Sequence, residues 1–511
     1  MKGLAPKLAL VLGAFFVLSS LGAVSESITD DEALHLNYGY RSLSGDFERG
    51  WRFNGQMPWN GVQALPGALV EATLGDRFYP KPGDLEPSRT ALVLGRFATL
   101  AVAGLGLGVA LAALACVRSG KRAALATVAL LALEPNFLAH CHYVTTDAAA
   151  CASVVLIVLA ATLLSRAPSV GRAAALGAAV GLGLLCKLTA LHALIGLGFG
   201  FLLESRGASP RRVLSLGAVA AAVAVLVIDA GYHFQGLPGR FHDPALSRPF
   251  VALVGAIGRP PTPLAGRFWE GLDLVLGVTE NHLTYGPIYL MGELDLSQRG
   301  FALYYPVVLA LKLPLPIFVL LAVSCWKRSA ERSWIFAAVA GEMALYFLLV
   351  FRVQIGFRYL LPLVALLLVR AGEALAALSR GSRRERLAAR VLVLWQALSV
   401  LSFAPTFCPY VNELVLDRKL TYRLIADSNV DFGQGDAAAV EWARAERAKG
   451  RAVFVRPERP VVGTVLVKVN DLVGIANDPW RYQWLRHRTP VGHVAYAYLV
   501  FEVDSVEPHG K

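Results

Sequence analysis

Long apolar runs separated by short polar breaks dominate this chain, and their spacing sets the number of elements before any other property is needed. Runs of spanning length fall at about 8–24, 90–117, 122–139, 147–164, 211–231, 301–325, 333–350, 358–378 and 389–409. Each predicts a helix able to cross a bilayer. Between 173 and 203 a run of about 30 residues is interrupted by Lys187. That is too long for one ordinary span, and two short helices meeting near the lysine fit better. The total becomes about eleven transmembrane helices.

The polar breaks carry an orientation. Basic clusters lie at Arg118–Arg122, Arg166–Arg172, Arg206–Arg212, Lys327–Arg332 and Arg380–Arg390. With the N-terminus inside, all of them face the cytoplasm, as positive loops do. A single span at 173–203 would put the next three clusters outside, so the charges independently support the hairpin at Lys187. The first run, Leu8–Val24, follows Lys2 and Lys7 and precedes the small residues of L-G-A-V-S-E-S, which could pass for a signal peptide. Because many spans follow and the parity agrees, it is expected to be a retained first helix. The same parity puts outside a loop over 25–89, a second over 232–300, and everything after Tyr410.

Composition agrees. The chain has 511 residues, 55% hydrophobic and 17% charged, with mean hydropathy +0.52, which is far more apolar than a soluble protein of this size needs to be. It reads as an integral membrane protein surrounded by lipid. The net charge of +12 does not indicate nucleic acid, because the basic residues sit in short clusters between apolar runs, which suits loops facing anionic lipid. The six cysteines form no CxxC pair and suggest neither a disulfide framework nor a zinc-cysteine site. In the first loop, W-R-F-N-G-Q-M-P-W-N-G suits an interfacial loop with aromatic anchors. The last hundred residues predict a helix over Ala437–Lys449 and strands over Ala452–Val455, Gly463–Val469 and Val494–Val503. The fold class is therefore mainly α: a polytopic membrane domain over 1–409 and a small soluble α/β domain over 410–511.

Candidate chemistry gathers at the outer boundary. Ser27 to Tyr40 reads S-I-T-D-D-E-A-L-H-L-N-Y-G-Y and places Asp30, Asp31 and Glu32 just beyond the first span. Thr29 or Asp30 can cap a helix starting there, with Asp31 and His35 on one face. Against function, acids at a helix N-terminus often serve only its dipole. E-P-N-F-L-A-H-C-H-Y-V-T-T-D places His140, His142 and Asp147 on the same side, the last capped by Thr145 or Thr146. Lys187, a cation in an apolar stretch, wants an anion, either a phosphate or a carboxylate such as Asp147. Arg352 and Arg358 sit at the outer ends of two spans, where a guanidinium at lipid depth suits a phosphate and snorkelling is the plainer alternative for Arg352. Carboxylates with cations at membrane depth suit group transfer from a lipid phosphate. The carboxylate deprotonates an acceptor hydroxyl or amine while Lys and Arg stabilise the leaving phosphate. The glycine runs at 104–108 and 181–183 lie within spans and have no nucleotide role.

Six motifs in chain order carry a resemblance: T-D-D-E-A-L-H-L, N-F-L-A-H-C-H-Y-V-T-T-D-A-A-A, G-L-L-C-K-L-T-A-L, Y-L-M-G-E with Y-Y-P-V-V-L-A-L-K-L-P-L-P, G-F-R-Y-L-L-P, and D-S-N-V-D-F-G-Q. Together they resemble the GT-C glycosyltransferases of the dolichyl-phosphate-mannose-protein mannosyltransferase and aminoarabinose transferase type, glycosyltransferase family 39-like bacterial membrane proteins. The resemblance implies a polyprenyl-phosphate-linked sugar donor, a protein, lipid or glycan acceptor, and an active site at the periplasmic surface of the cytoplasmic membrane. It implies Asp31 and Glu32 as the Asp-Glu pair of the first external loop, with Asp31 the catalytic base, Asp147 as the second external acid, and Lys187 and Arg358 near the donor phosphate. The extra acid, Asp30, leaves open which aspartate fills the family role. No lectin-like modules accompany the C-terminal region. A divalent metal stays open, with His35, His142, His282 and Glu293 as candidate ligands at no tight spacing. A polytopic transporter or flippase of lipid-linked sugars is the competing class, and it predicts inverted repeats and a site at the membrane midplane.

Overall fold

A computed structural model describes residues 3–48, 55–75, 78–79, 86–204, 209–241, 247–281, 286–327, 333–476 and 478–505. The protein is a helical bundle with a small sheet on one end. Five helices are long and apolar enough to cross a membrane: Ala5–Ser25, Arg89–Ser119, Asp147–Arg166, Pro210–Gly231 and Phe357–Arg380. Tyr304–Lys312 and Leu315–Trp326 form a sixth candidate, bent by 104° where Pro314 removes a backbone donor. The remaining predicted runs hold shorter helices, among them Lys121–Ala132 with Pro135–His140, Trp334–Leu345 and Arg383–Leu401.

The run over 173–203 breaks at the lysine. Val170–Cys186 starts at Ser169, whose side chain accepts the Arg172 N–H, and it ends at Lys187 in extended geometry. Ala190–Glu204 then begins. The first helix is packed into the bundle: Phe15 is fully buried, Ser19 Oγ donates to the Leu138 carbonyl at 2.7 Å, and a Cβ at Gly22 would meet His142 Cε1 at 2.6 Å.

Among its described residues, the segment over 25–89 is helical where its Trp, Gly and Pro content suggests a loop. Helices Glu32–Leu43 and Trp59–Leu74 cross where Gly39 lies against the Asn60 carbonyl, and Tyr40 stacks on Tyr79 at 4.2 Å. In the segment over 232–300, Arg248–Ile257 and Gly266–Glu280 precede a short hairpin of Ile288–Leu290 and Glu293–Asp295.

The C-terminal segment forms a four-stranded sheet. Val453–Val455, Gly463–Lys468, Tyr498–Val503 and Gly492–Val494 lie side by side in that order, with the first pair parallel and the others antiparallel. Side chains alternate across a strand, and the two faces bury into different places. Val465, Val467, Leu499 and Phe501 join the same apolar core as Phe15 and the spans, whereas Leu466, Tyr498 and Val500 pack with Ala439 of the helix Asp436–Ala448. The expected soluble unit over 410–511 thus shares one face with the bundle, because its second face has no other apolar cover.

Candidate active site

Two acid–cation pairs meet at one end of the bundle. Asp31 accepts from Arg358 Nη1 in a close ion pair, and Asp147 Oδ1 accepts from Lys187 Nζ at 2.5 Å. Tyr359 ties them together: its ring lies 4.8 Å from Lys187 Nζ and 5.7 Å from the Arg358 guanidinium carbon. The Phe432 ring also lies 5.0 Å from the Arg358 guanidinium carbon. Lys187 also faces a cavity of about 100 Å³ lined by Met57, Thr189, Val275, Phe351 and Tyr359. Arg358 Nε is buried with no hydrogen-bond partner among the described residues. Partial burial would raise the Asp31 carboxyl, but the charges of Arg358 and His35 and the Arg358 hydrogen bond outweigh it and hold Asp31 below the usual carboxylate range.

Local structure explains these placements. Asp31 is the N-cap residue of Glu32–Leu43 but makes no side-chain cap bond, so its carboxylate is free to turn to Arg358, and the caps expected from Thr29 or Asp30 do not form. Thr145 Oγ1 donates to Asp147 Oδ2 at 3.1 Å, steering the acid at the start of its span. Arg358 follows a turn that needs Gly356, whose φ is +152° and whose added Cβ would collide with Ser428 Oγ.

Glu32 departs from its expected role. Its Oε1 accepts from Arg96 Nε at 2.8 Å and from the Val144 N–H at 2.9 Å, and its Oε2 from Arg96 Nη2 at 2.6 Å and the Thr29 N–H at 2.9 Å. Both side chains are 0% exposed. With every lone-pair direction taken, Glu32 clamps the first helix to the loop before Asp147 and has no face left for an acceptor. His142 is likewise committed to packing: its Nδ1 lies 3.0 Å from the Leu138 carbonyl and its Nε2 3.3 Å from Glu26 Oε2. His35 is buried with Nδ1 at 3.2 Å from Asn60 Oδ1. Glu293 is exposed on its hairpin, Arg352 is exposed at its span end, and His282 lies outside the described residues. Among the described residues no three His, Cys, Asp or Glu side chains gather as a metal cluster.

The segment Asp427–Gln434 supplies what the outer-boundary inventory missed. It docks on the first loop, the Asp30 N–H donating to the Phe432 carbonyl at 3.1 Å and the Ser27 N–H to that of Gln434 at 3.0 Å. Asn429, 0% exposed, accepts the Phe357 N–H at 2.9 Å and donates to Tyr304 Oη at 3.0 Å. Its own carbonyl accepts from the buried Lys312 Nζ at 2.7 Å. Arg358 is thereby fixed through the residue before it. A lone charge inside an apolar run was the available signal for Arg96 and Lys312, as it was for Lys187.

Asp427 and Asp431 stand in the same segment, and burial raises each to about 7, against the opposing charges of Arg358 for Asp427 and Lys468 for Asp431. In the unfolded chain both ionise near 4, so between about 4 and about 7 the unfolded chain loses protons that the folded one keeps, and stability falls as pH rises through that window. We expect the thermal midpoint in detergent to drop between pH 4 and pH 7 and Asp431→Asn to flatten that drop. An unchanged slope in the variant would show that Asp431 does not titrate there.

Comparison with known proteins bears on the fold. Residues 95–230 match the family described as dolichyl-phosphate-mannose-protein mannosyltransferase, a stretch that holds Arg96, Asp147 and Lys187. Among curated proteins none matches in sequence. Among solved structures, ArnT from Cupriavidus metallidurans bound to undecaprenyl phosphate superposes at a TM-score of 0.50 and 15% identity, over 97% of each chain. The oligosaccharyltransferase AglB from Archaeoglobus fulgidus, in complex with an inhibitory peptide and a dolichol-phosphate, gives 0.47 and 14% identity over 82% of this chain and 58% of its own. The fold is that of ArnT, and five helices of this chain are long and apolar enough to cross a membrane.

Proposed function

We propose that the protein is a membrane glycosyltransferase that moves a sugar from a polyprenyl-phosphate-linked donor to an acceptor at the outer face of the bacterial cytoplasmic membrane. About eleven crossings would place the first loop, the 232–300 segment and the C-terminal region outside. The observation that carries this reading is the convergence of the Asp31–Arg358 and Asp147–Lys187 pairs on Tyr359. Undecaprenyl phosphate in ArnT and dolichol-phosphate in AglB make a lipid-borne phosphate the natural anion for these cations.

Each cation has a carboxylate partner in the free protein, so a donor phosphate enters by exchange with those carboxylates. As Arg358 turns to phosphate, Asp31 is released to accept a proton from the acceptor hydroxyl or amine. The acceptor oxygen or nitrogen bonds to the anomeric carbon, the bond from that carbon to the phosphate oxygen breaks on the opposite side, and its electron pair stays on the phosphate. The configuration inverts. Lys187 and Arg358 meet the growing charge at the moment it forms, the condition under which a fixed cation accelerates a reaction.

The test is direct. Protein reconstituted with lipid extract from its own cells should release polyprenyl phosphate with stoichiometric glycosylation of an envelope component, read by mass spectrometry. That product should be missing from cells lacking the gene. Transport of intact lipid-linked sugar across the vesicle with no bond broken would replace the reading with a flippase.

A further inference from the structure

A second cavity, of about 340 Å³, opens where the hairpin, the turn Arg418–Arg423 and the helices Val469–Val473 and Gln483–Arg486 meet. Tyr289, Tyr422, Arg423 and Arg486 give it a polar wall, and Met291 and Leu472 contribute apolar surface. No carboxylate lines it among the described residues; Glu293, next to the hairpin turn, is exposed and lies outside the lining. Arg486 is held by backbone carbonyls, Nε donating to Leu472 at 2.7 Å and Nη2 to Pro479, which fixes its position and leaves its charge uncancelled. Arg423 Nε donates to Tyr422 Oη at 3.3 Å, with the guanidinium carbon 5.8 Å from that ring. Two guanidiniums therefore face one concave space beside two tyrosine rings, with no carboxylate among the described lining residues.

We propose that this cavity binds an anionic sugar of the acceptor, one bearing a carboxylate or a phosphate. The class follows from the lining. A metal ion would be repelled, and a purely apolar ligand or a neutral sugar would leave both charges without a partner. A sugar acid satisfies both features: its oxygens take the planar guanidinium donors, and its C–H face lies on the tyrosine rings. The proposal rests on the transfer reaction above for its meaning. Arg423 is four residues from Asp427, at most about 14 Å even in extended chain, and Asp427 begins the segment that docks on the first loop through the Asp30 N–H and the Phe432 carbonyl. Asp427 in turn feels the charge of Arg358. Anchoring one sugar of a chain here sets which neighbouring hydroxyl arrives at Asp31.

The full-length protein in lipid nanodiscs can be probed by saturation-transfer NMR with glucuronic acid, glucose 6-phosphate and glucose, each with and without inorganic phosphate. Saturation of the two acids and not of glucose is expected. A preference for one acid assigns carboxylate or phosphate as the native group, and competition by inorganic phosphate shows that the charge carries the affinity. Arg423→Gln should weaken acid binding about tenfold, the scale of one charge-assisted hydrogen bond, and Arg423→Lys should restore part of it. Glucose binding as well as the acids, or acid binding indifferent to Arg423→Gln, would overturn the site. Arg358→Gln should silence transfer and leave probe binding intact, so failure of the transfer reaction and failure of this cavity are read separately.

Discussion

Asp31→Asn should lower sugar transfer by about 10²–10⁴-fold, the contribution of a positioned general base, while the protein stays folded and keeps its donor. The direction of the donor effect is the informative part. In the free protein Asp31 occupies Arg358, so removing its charge frees that guanidinium, and polyprenyl-phosphate binding should hold or tighten as turnover collapses. A residue that merely held the donor would lose binding and rate together. Asp30 is the control. It is exposed, and its N–H reaches the Phe432 carbonyl while its neighbour makes the ion pair with Arg358. Asp30→Asn should therefore be much milder. Full activity in Asp31→Asn with loss in Asp30→Asn would transfer the role to the other aspartate. Equal loss in both would refute a base role specific to Asp31.

The elements that could be read from the sequence are those governed by local physics. Apolar runs place a helix or helix pair at every expected span, and Lys187 marks the break between Val170–Cys186 and Ala190–Glu204 because a lone ammonium is costly inside an apolar helix. The helix near the C-terminus and the strands Val453–Val455 and Gly463–Lys468 were legible from alternation and from Gly450, whereas the expected strand Val494–Val503 is two antiparallel strands, Gly492–Val494 and Tyr498–Val503, turned at Ala495 and Tyr496, whose φ angles are positive. Partnership was legible for Lys187, whose need for an anion pointed to Asp147 as one candidate, and not for Arg358. The sequence puts Asp31 and Arg358 327 residues apart, and nothing in either motif says that one holds the other. Glu32 stands beside Asp31 and shares its charge, yet a turn of about 100° per residue sends it into Arg96. The sheet over 453–503 shows alternation, but alternation alone does not say that one of its faces completes the bundle core.

The distinction between Asp31 and Glu32 gives the second large effect. Arg96 spends every N–H: Nε and Nη2 go to Glu32, Nη1 to the carbonyls of Ala23 at 3.2 Å and Glu26 at 2.9 Å, and Nη2 also to that of Ser27 at 2.6 Å. These carbonyls close the C-terminal end of Ala5–Ser25, where the helix dipole favours a cation. Glu32→Gln keeps the size but replaces one acceptor with a donor, which must face an Arg96 N–H or a backbone N–H, and it strands the guanidinium charge at a site with 0% exposure. Breaking one partner of a buried pair costs about 3–5 kcal/mol, so unfolding in detergent should shift by that amount, and Arg96→Met should do the same. The double variant Glu32→Gln with Arg96→Met should lose less than the sum, because the two changes remove one interaction. In membranes where Glu32→Gln still folds, its turnover per folded molecule should stay within about threefold of the parent, since no part of the acid touches the space between Asp31 and Asp147. Abolished transfer in a Glu32→Gln protein of unchanged stability would return Glu32 to the chemistry and overturn its assignment as a clamp.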